Sequence, residues 1–465
     1  MLDKFGNYLM NFVVGIILAR LLGPQAFGII GYVLIFVGVA NVMATAGLRD
    51  AIIRKKNPSE ADYATLQLVN ICLSVILYII IYFSAPSIAH FFNESILSPI
   101  IRIYFLIIII QSFAFTKHIK LIKKMDFRGI TIISVISTVI AGITAIAMAF
   151  NDFGVWSLVA LGLVNWSLRT IFFFIYTPGF QAGFVRESFN ELWSFGSKML
   201  ASELMNDFFN NLNRAFVGKV FSTNTLGLFT KSETYKDTFS KNVAFAFISV
   251  YFPVLSEIQD NTGKLKATYR SMLSQLTFFI FMAMFVLMGC SKNFVINVLG
   301  EQWIDAVPLL RILCLSGLLK PIISLNTNLL KVLGRSDVIL KNQIIYNGLT
   351  CVNLVVAYVY GVYALVVGIV VYSAVLALIT SSYGKFMIAY SFTEQLKDMA
   401  SNFFIGITIF VTLFIFDSYL ATSWVTFALQ ITAVGLILVS MGLAFPKTEP
   451  GRYVTLLMSK LKTFQ

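Results

Sequence analysis

Apolar residues run through this chain in stretches of helical length, separated by short polar segments in which Lys and Arg collect. A mostly apolar run of about 18 residues or more is long enough to cross the bilayer core as an α-helix. The pattern predicts helices at roughly 5–22, 25–48, 63–88, 97–116, 129–150, 154–176, 192–220, 224–255, 270–291, 304–331, 341–359, 362–384, 400–416 and 423–445. The seventh and eighth are the weakest by hydropathy, because each carries many polar residues. No long alternation of apolar and polar positions occurs, which argues against an outer-membrane barrel. The expected fold class is an all-α integral membrane protein of about 14 transmembrane helices.

The distribution of charge tests that parse. With both termini cytoplasmic, 23 of the 35 basic residues fall in segments on the cytoplasmic side, from Lys4 through Arg49, Arg54, Lys117–Arg128, Lys264 and Lys331 to the tail cations Lys447, Arg452, Lys460 and Lys462. The opposite side receives only Arg20, Lys219 and Lys292. This is the asymmetry that orients helical membrane proteins. Nine basic residues are left at predicted membrane depth: Arg102, Arg169, Lys198, Arg214, Lys231, Lys236, Lys241, Arg311 and Lys320. At a helix centre each would cost ~2.5–3.5 kcal/mol on the insertion scale, so such a group normally faces a partner or a wet cavity. Arg102 and Arg311, near helix starts, are read as snorkelling or capping.

An internal repeat organises the helices. Phe153-Gly154-Val155-Trp156-Ser157-Leu158-Val159 matches Tyr360-Gly361-Val362-Tyr363-Ala364-Leu365-Val366, and Pro99-Ile100-Ile101-Arg102 matches Pro308-Leu309-Leu310-Arg311. Six helices separate the copies, so both have the same orientation in the membrane, a parallel repeat. The expected domains are an N-lobe at 1–178, a C-lobe at 179–390, and a C-terminal helix pair with a basic cytoplasmic tail at 391–465. Two such lobes leave a central cavity that can open to either side.

Composition agrees with the pattern and narrows the chemistry. The chain is 58% hydrophobic and 12% charged, with a mean hydropathy of +0.83, whereas soluble domains are about 25% charged. The net charge of +13 follows from the basic cytoplasmic loops and does not call for nucleic acid. The chain opens Met1-Leu2-Asp3-Lys4 without the pattern of a cleavable signal peptide. Its four cysteines are scattered singly, and His90 and His118 have no neighbours at metal-ligand spacing. No Walker A or dinucleotide-binding loop is present. No cofactor and no enzymatic activity are expected.

The run Ile17-Leu18-Ala19-Arg20-Leu21-Leu22-Gly23-Pro24, then Phe27-Gly28, Gly47-Leu48 and Ala51-Ile52-Ile53, resembles the polysaccharide transporters of the multidrug/oligosaccharidyl-lipid/polysaccharide exporter superfamily. Phe195-Gly196-Ser197-Lys198, Phe252-Pro253-Val254-Leu255-Ser256 and Leu333-Gly334-Arg335-Ser336-Asp337 are similar to the same exporters. The resemblance implies a bacterial inner-membrane flippase for undecaprenyl-diphosphate-linked oligosaccharide, the precursor of O-antigen, capsule or exopolysaccharide. It further implies an ion gradient (H⁺ or Na⁺) as the drive and a polysaccharide polymerase as a partner.

Such a cargo needs cations for the diphosphate and amides or hydroxyls for the sugars. On the seventh helix Ser202, Asn206, Asn210 and Asn213 recur every three to four residues and share one face, flanked by Glu203, Asp207 and Arg214. Asn7 and Asn11 of the first helix, Asn41, Thr45 and Arg49 of the second, and Lys231 of the eighth extend the polar set. The expected cavity residues are therefore Lys198, Arg214, Lys231, Asn206, Asn210, Asn213, Arg49, Asn11 and Asn41. Interhelical ion pairs are the alternative use of the three intramembrane cations. Glu203 and Asp207, four apart, suit either ion coupling or neutralisation of Lys198 and Arg214. The seventh and eighth helices hold six basic and four acidic residues, which weighs against a cation antiporter of the same superfamily. A peptidoglycan-precursor flippase is a further alternative. The longest outer loop, 290–304, offers few functional groups beyond Glu301, which weighs against a glycan polymerase or ligase.

Overall fold

Local signals in the sequence set several helix boundaries. Ser59 closes a capping box with Asp62: its Oγ accepts from the Asp62 amide at 3.1 Å, and the Asp62 carboxylate accepts from the Ser59 amide at 2.8 Å. Ser391 and Glu394 repeat the device. Asp126 and Asn261 cap two further helices through their side chains. The computed structural model describes residues 2–45, 47–177, 179, 183–444, 449 and 451, without the side chains of 2–9, 50 and 195. The side chains of Lys4, Asn7 and Phe195, the expected lobe boundary at Pro178, and the tail cations Lys447, Arg452, Lys460 and Lys462 lie outside that description.

The described residues form helices and no strands. The chain divides into two compact units, Met1–Gly227 and Leu228–Gln465. The first contains α1 (Leu2–Thr45), α2 (Leu48–Arg54), α3 (Glu60–Phe92), α4 (Leu97–Tyr104), α5 (Leu106–Lys123), α6 (Phe127–Phe150), α7 (Trp156–Tyr176) and α8 (Arg186–Val220). The division falls near the start of α9 (Thr223–Glu257). The second unit continues with α10 (Thr262–Gly289), α11 (Ser291–Phe294), α12 (Ala306–Val332), α13 (Ser336–Tyr360), α14 (Val362–Ile388), α15 (Phe392–Tyr419) and α16 (Trp424–Ala444).

Twelve stretches among the described residues are helical, long and apolar enough to cross a membrane. The difference from the expected fourteen has two sources. The 44 residues of α1 are about 66 Å of helix, twice a bilayer core, and count as one. Yet α1 breaks at Gly23 (φ 73°, ψ 175°), just before Pro24, the corner expected between 22 and 25. A glycine supplies the positive φ and the proline ends the preceding hydrogen-bond ladder. The other source is α8, whose Asn, Asp, Glu and Lys residues keep it below the apolarity of a span.

Apolar packing dominates the second unit around α10. Met272, Leu273, Leu276, Ile280 and Met284 are fully buried. Phe285 packs its ring against Phe403 at 5.6 Å and sits directly over Gly406 of α15, where a Cβ would meet it at 2.1 Å. Such close approach through small residues is how helices associate in lipid, where burial of apolar surface gives no gain over contact with acyl chains. One end of α10 is fastened by Arg270, which donates from Nε and Nη2 to the two Asp398 oxygens at 2.7 Å each. Near the other end, buried Asp417 of α15 accepts from the Lys292 and Asn293 amides, from Asn293 Nδ2 at 2.8 Å and from Arg311 Nη2 at 2.7 Å. Arg311 thus serves as an ion-pair partner of Asp417, a role that the sequence reading did not give it. Its carboxylate is supplied from outside the predicted repeat.

Candidate functional site

The site forms in the first unit, where α8 lies against α1 and α2. Glycine permits the approach. A Cβ at Gly38 would stand 2.4 Å from Asp207 Oδ2, and one at Gly47 would stand 2.1 Å from the Gly196 carbonyl oxygen. Gly47 also turns the chain between α1 and α2 with φ 65°, a conformation that costs a residue with a side chain ~1–2 kcal/mol. The start of α8 is tied down by charge: Lys55 donates to Glu191 at 2.8 Å and pairs with the buried Asp62 at 2.9 Å. Those hydrogen bonds hold the Lys55 ammonium above its ordinary pKa, Glu191 contributing most.

Between these contacts lies a cavity of about 370 Å³ lined by Asn41, Val42, Thr45, Gly47, Arg49, Glu203, Asn206, Asp207 and Asn210. On α8 the lining positions run 203, 206, 207 and 210, one face of a helix. Asn206 and Asn210 are exposed to it, Glu203 and Asp207 half-buried, and Arg49 exposed at its rim. Three amides, two carboxylates and one guanidinium thus converge on a space of small-ligand size. Amides and carboxylates suit sugar hydroxyls, and the guanidinium fork suits a phosphate.

Six of the eleven residues expected at the site line this cavity: Asn41, Arg49, Glu203, Asn206, Asp207 and Asn210. The other five lie elsewhere. Asp207 accepts from Asn211 Nδ2 at 3.2 Å, and Asn211 Oδ1 accepts from Arg214 at 3.3 Å, so Arg214 reaches the cavity's acid through an amide one turn on. Asn213 is buried in the first unit. Lys198 and Asn11 are exposed on α8 and α1, outside the lining. Lys231 is buried within the second unit, its Nζ 5.8 Å from the centre of the Tyr235 ring. Also in the second unit, Lys236 pairs with Asp237 at 2.9 Å. Sequence reasoning missed Gly38 and Val42. A glycine inside an apolar helix is the visible signal for a close helix contact, but its partner, 169 positions away at Asp207, is not.

Comparison with known proteins bears on the family and the fold. Residues 17–308, more than half of the chain, match the family described as polysaccharide biosynthesis protein. The chain is 26% identical over 331 residues to the lipopolysaccharide biosynthesis protein WzxC of Escherichia coli (strain K12), covering 70% of this chain and 67% of that one. It is 24% identical over 301 residues to the teichuronic acid biosynthesis protein TuaB of Bacillus subtilis (strain 168), covering 64% and 62%. The succinoglycan biosynthesis transport protein ExoT of Rhizobium meliloti (strain 1021) is 24% identical over 324 residues, covering 69% and 65%. The chain therefore aligns with roughly two thirds of the length of these relatives, and with less than that for TuaB and ExoT. In fold it is similar to the lipid II flippase MurJ in an inward closed conformation (TM-score 0.69, 12% identity, 94% and 96% of the two chains). It is also similar to an inward-facing multidrug resistance MATE family transporter of the MOP superfamily (TM-score 0.65, 17% identity, 82% and 94%). This multi-span helical membrane protein belongs to the polysaccharide biosynthesis protein family and has the fold shared by MurJ and the MATE transporters.

Proposed function

We propose that the protein is a flippase that moves polyprenyl-diphosphate-linked oligosaccharide repeat units from the cytoplasmic to the periplasmic leaflet of a bacterial inner membrane. The observation that carries this reading is the cavity of α1, α2 and α8, polar within a chain that is otherwise built for lipid. Membership of a polysaccharide biosynthesis family, and relatives named for lipopolysaccharide, teichuronic acid and succinoglycan biosynthesis, support the class of cargo.

In this account Asn41, Asn206 and Asn210 hydrogen-bond the hydrated sugars, Arg49 takes phosphate charge, and the polyprenyl tail stays in the bilayer. Lys198, Arg214, Asn213, Asn11 and Lys231 belong to the path taken in other states of the cycle. The protein works by alternating access of two lobes, with both termini cytoplasmic and with α8 and both halves of α1 counted as crossings. Glu203 and Asp207 are the carboxylates through which H⁺ or Na⁺ would couple. A polysaccharide polymerase is the expected downstream partner. The test is mass spectrometry of polyprenyl-linked oligosaccharides in a deletion strain, with the exposure of their sugars to an impermeant probe. Repeat units that accumulate shielded inside, with loss of surface polymer, are expected. Normal levels with sugars exposed outside would overturn the reading.

A further inference from the structure

The turn between α5 and α6 is Lys124-Met125-Asp126. Both flanking stretches, Leu97–Lys123 and Phe127–Phe150, are long and apolar enough to cross a membrane. Three residues reach at most about 11 Å, so the turn stays close to the bilayer surface at which the two helices end.

The cations here divide into two groups. Lys117, Lys120 and Lys123 serve the fold. Lys117 donates to the Thr177 and Gly179 carbonyls at 2.5 Å each, and Lys120 pairs with Glu60 at 2.6 Å. Lys123 donates to the Ile53 carbonyl at 3.1 Å and to that of Lys55. These last bonds fasten the end of α2 against α5 and set the exposed Lys56 near the turn. Lys124 and Arg128 are different: both are exposed, and neither side chain takes a hydrogen bond or ion pair among the described residues. The acid between them is already engaged, since Asp126 accepts from the Gly129 amide at 2.9 Å and from the Tyr176 hydroxyl at 2.7 Å.

Apolar side chains stand among these cations. Met125 is 78% exposed and Phe127 51%. Met125 also holds φ 56°, a left-handed conformation that costs a residue with a side chain ~1–2 kcal/mol and that glycine adopts freely. At a bilayer surface such apolar groups enter the acyl boundary while the flanking cations stay among the phosphates. Lys and Arg clustered just outside a membrane span attract anionic lipid.

We propose that the α5–α6 turn binds anionic phospholipid, with Met125 and Phe127 in the interface and Lys124, Arg128 and Lys56 on the headgroup phosphates. An acidic soluble protein could satisfy the same cations, but the turn is too short to carry Met125 and Phe127 clear of the bilayer. Through Lys123 the bound lipid steadies α2, which carries Arg49 at the rim of the cavity. This binding depends only on the membrane spans and is independent of the cargo.

The full-length protein, with the exposed Cys72 and Cys351 replaced by Ser, carries Met125→Cys labelled with a fluorophore and is reconstituted in phosphatidylcholine vesicles. A small, equal fraction of phosphatidylglycerol or phosphatidylcholine with a nitroxide near the top of its acyl chain is then added as quencher. The expectation is about tenfold enrichment of phosphatidylglycerol at the label, read from the two quenching curves, and near-equal quenching in the Lys124→Gln, Arg128→Gln variant. That variant should keep the wild-type unfolding midpoint in detergent, because neither side chain holds the fold. Native mass spectrometry of the unlabelled protein should show fewer retained phosphatidylglycerol molecules for the same variant and for Met125→Ser. A label quenched by neither lipid would overturn the proposal and give the surface to a soluble partner. Equal quenching by the two lipids in the parent protein, an undiminished preference in the double variant, or a lowered midpoint would each overturn it as well.

Discussion

Two long helices of this chain, α8 and α10, are built on opposite principles. In α10 the residues that face its neighbours are chiefly buried Met, Leu, Ile and Phe, and charges appear near its N-terminal end as the Arg270–Asp398 and Lys266–Glu394 pairs. In α8 the polar residues occupy the middle: Glu203, Asn206, Asp207 and Asn210 face a cavity, and the contact with α1 and α2 is made by glycines on either side of it. The α10 arrangement gives rigidity, because every large side chain has a fixed neighbour. The α8 arrangement gives a helix held in place by its margins, with its central face left for something else. Stability and function should therefore separate between the two regions.

Substitutions can test that separation. The largest expected effect is on the framework of α10 and α15: Asp417→Ala strands the Arg311 guanidinium and the Asn293 side chain, and loss of one member of a buried pair costs ~3–5 kcal/mol. Thermal unfolding in detergent should show a large drop in midpoint; an unchanged midpoint would mean that Asp417 holds nothing. Next comes Gly47→Ala, which places a Cβ against the Gly196 carbonyl and asks alanine to hold φ 65°. A loss of about 1–3 kcal/mol is expected, with impaired export because α8 is displaced. The double variant Asn206→Leu with Asn210→Leu should shift stability by no more than about 0.5 kcal/mol while abolishing surface glycan, since both side chains face open space. Full export by this variant would remove the α8 stripe from the site. Smallest of all, Glu191→Gln breaks the exposed half of the Lys55 tie, and partly exposed pairs contribute ~0–1 kcal/mol. Asp62 retains Lys55, so a change in midpoint beyond that range would show α8 to be pinned more firmly than its exposure suggests.

Much of this was legible in the sequence because hydropathy and helical spacing are local. The break at Gly23–Pro24, the all-helical fold, and the face shared by Asn206 and Asn210 follow from neighbouring residues alone. What a helix face looks onto is not local. Asn11 and Lys198 have the right chemistry, but their places on α1 and α8 lie outside the cavity lining. Arg311 reads as a snorkelling residue because Asp417, its partner, lies 106 positions later in a helix outside the predicted repeat. The polarity of α8 shows that the helix is unusual; that Gly38 admits Asp207 requires the packing of two helices, which no period in either one encodes.

The central claim is that lipid-linked oligosaccharide crosses the membrane by way of the α8 cavity. It is tested most directly in proteoliposomes containing a fluorescent undecaprenyl-diphosphate-linked oligosaccharide, with an impermeant quencher reporting how much reaches the far leaflet. The account predicts rapid translocation by the wild-type protein under an imposed ion gradient and none above protein-free vesicles for the Asn206→Leu, Asn210→Leu variant. Equal translocation by the two proteins, or none by the wild type under H⁺ or Na⁺ gradients, would contradict it.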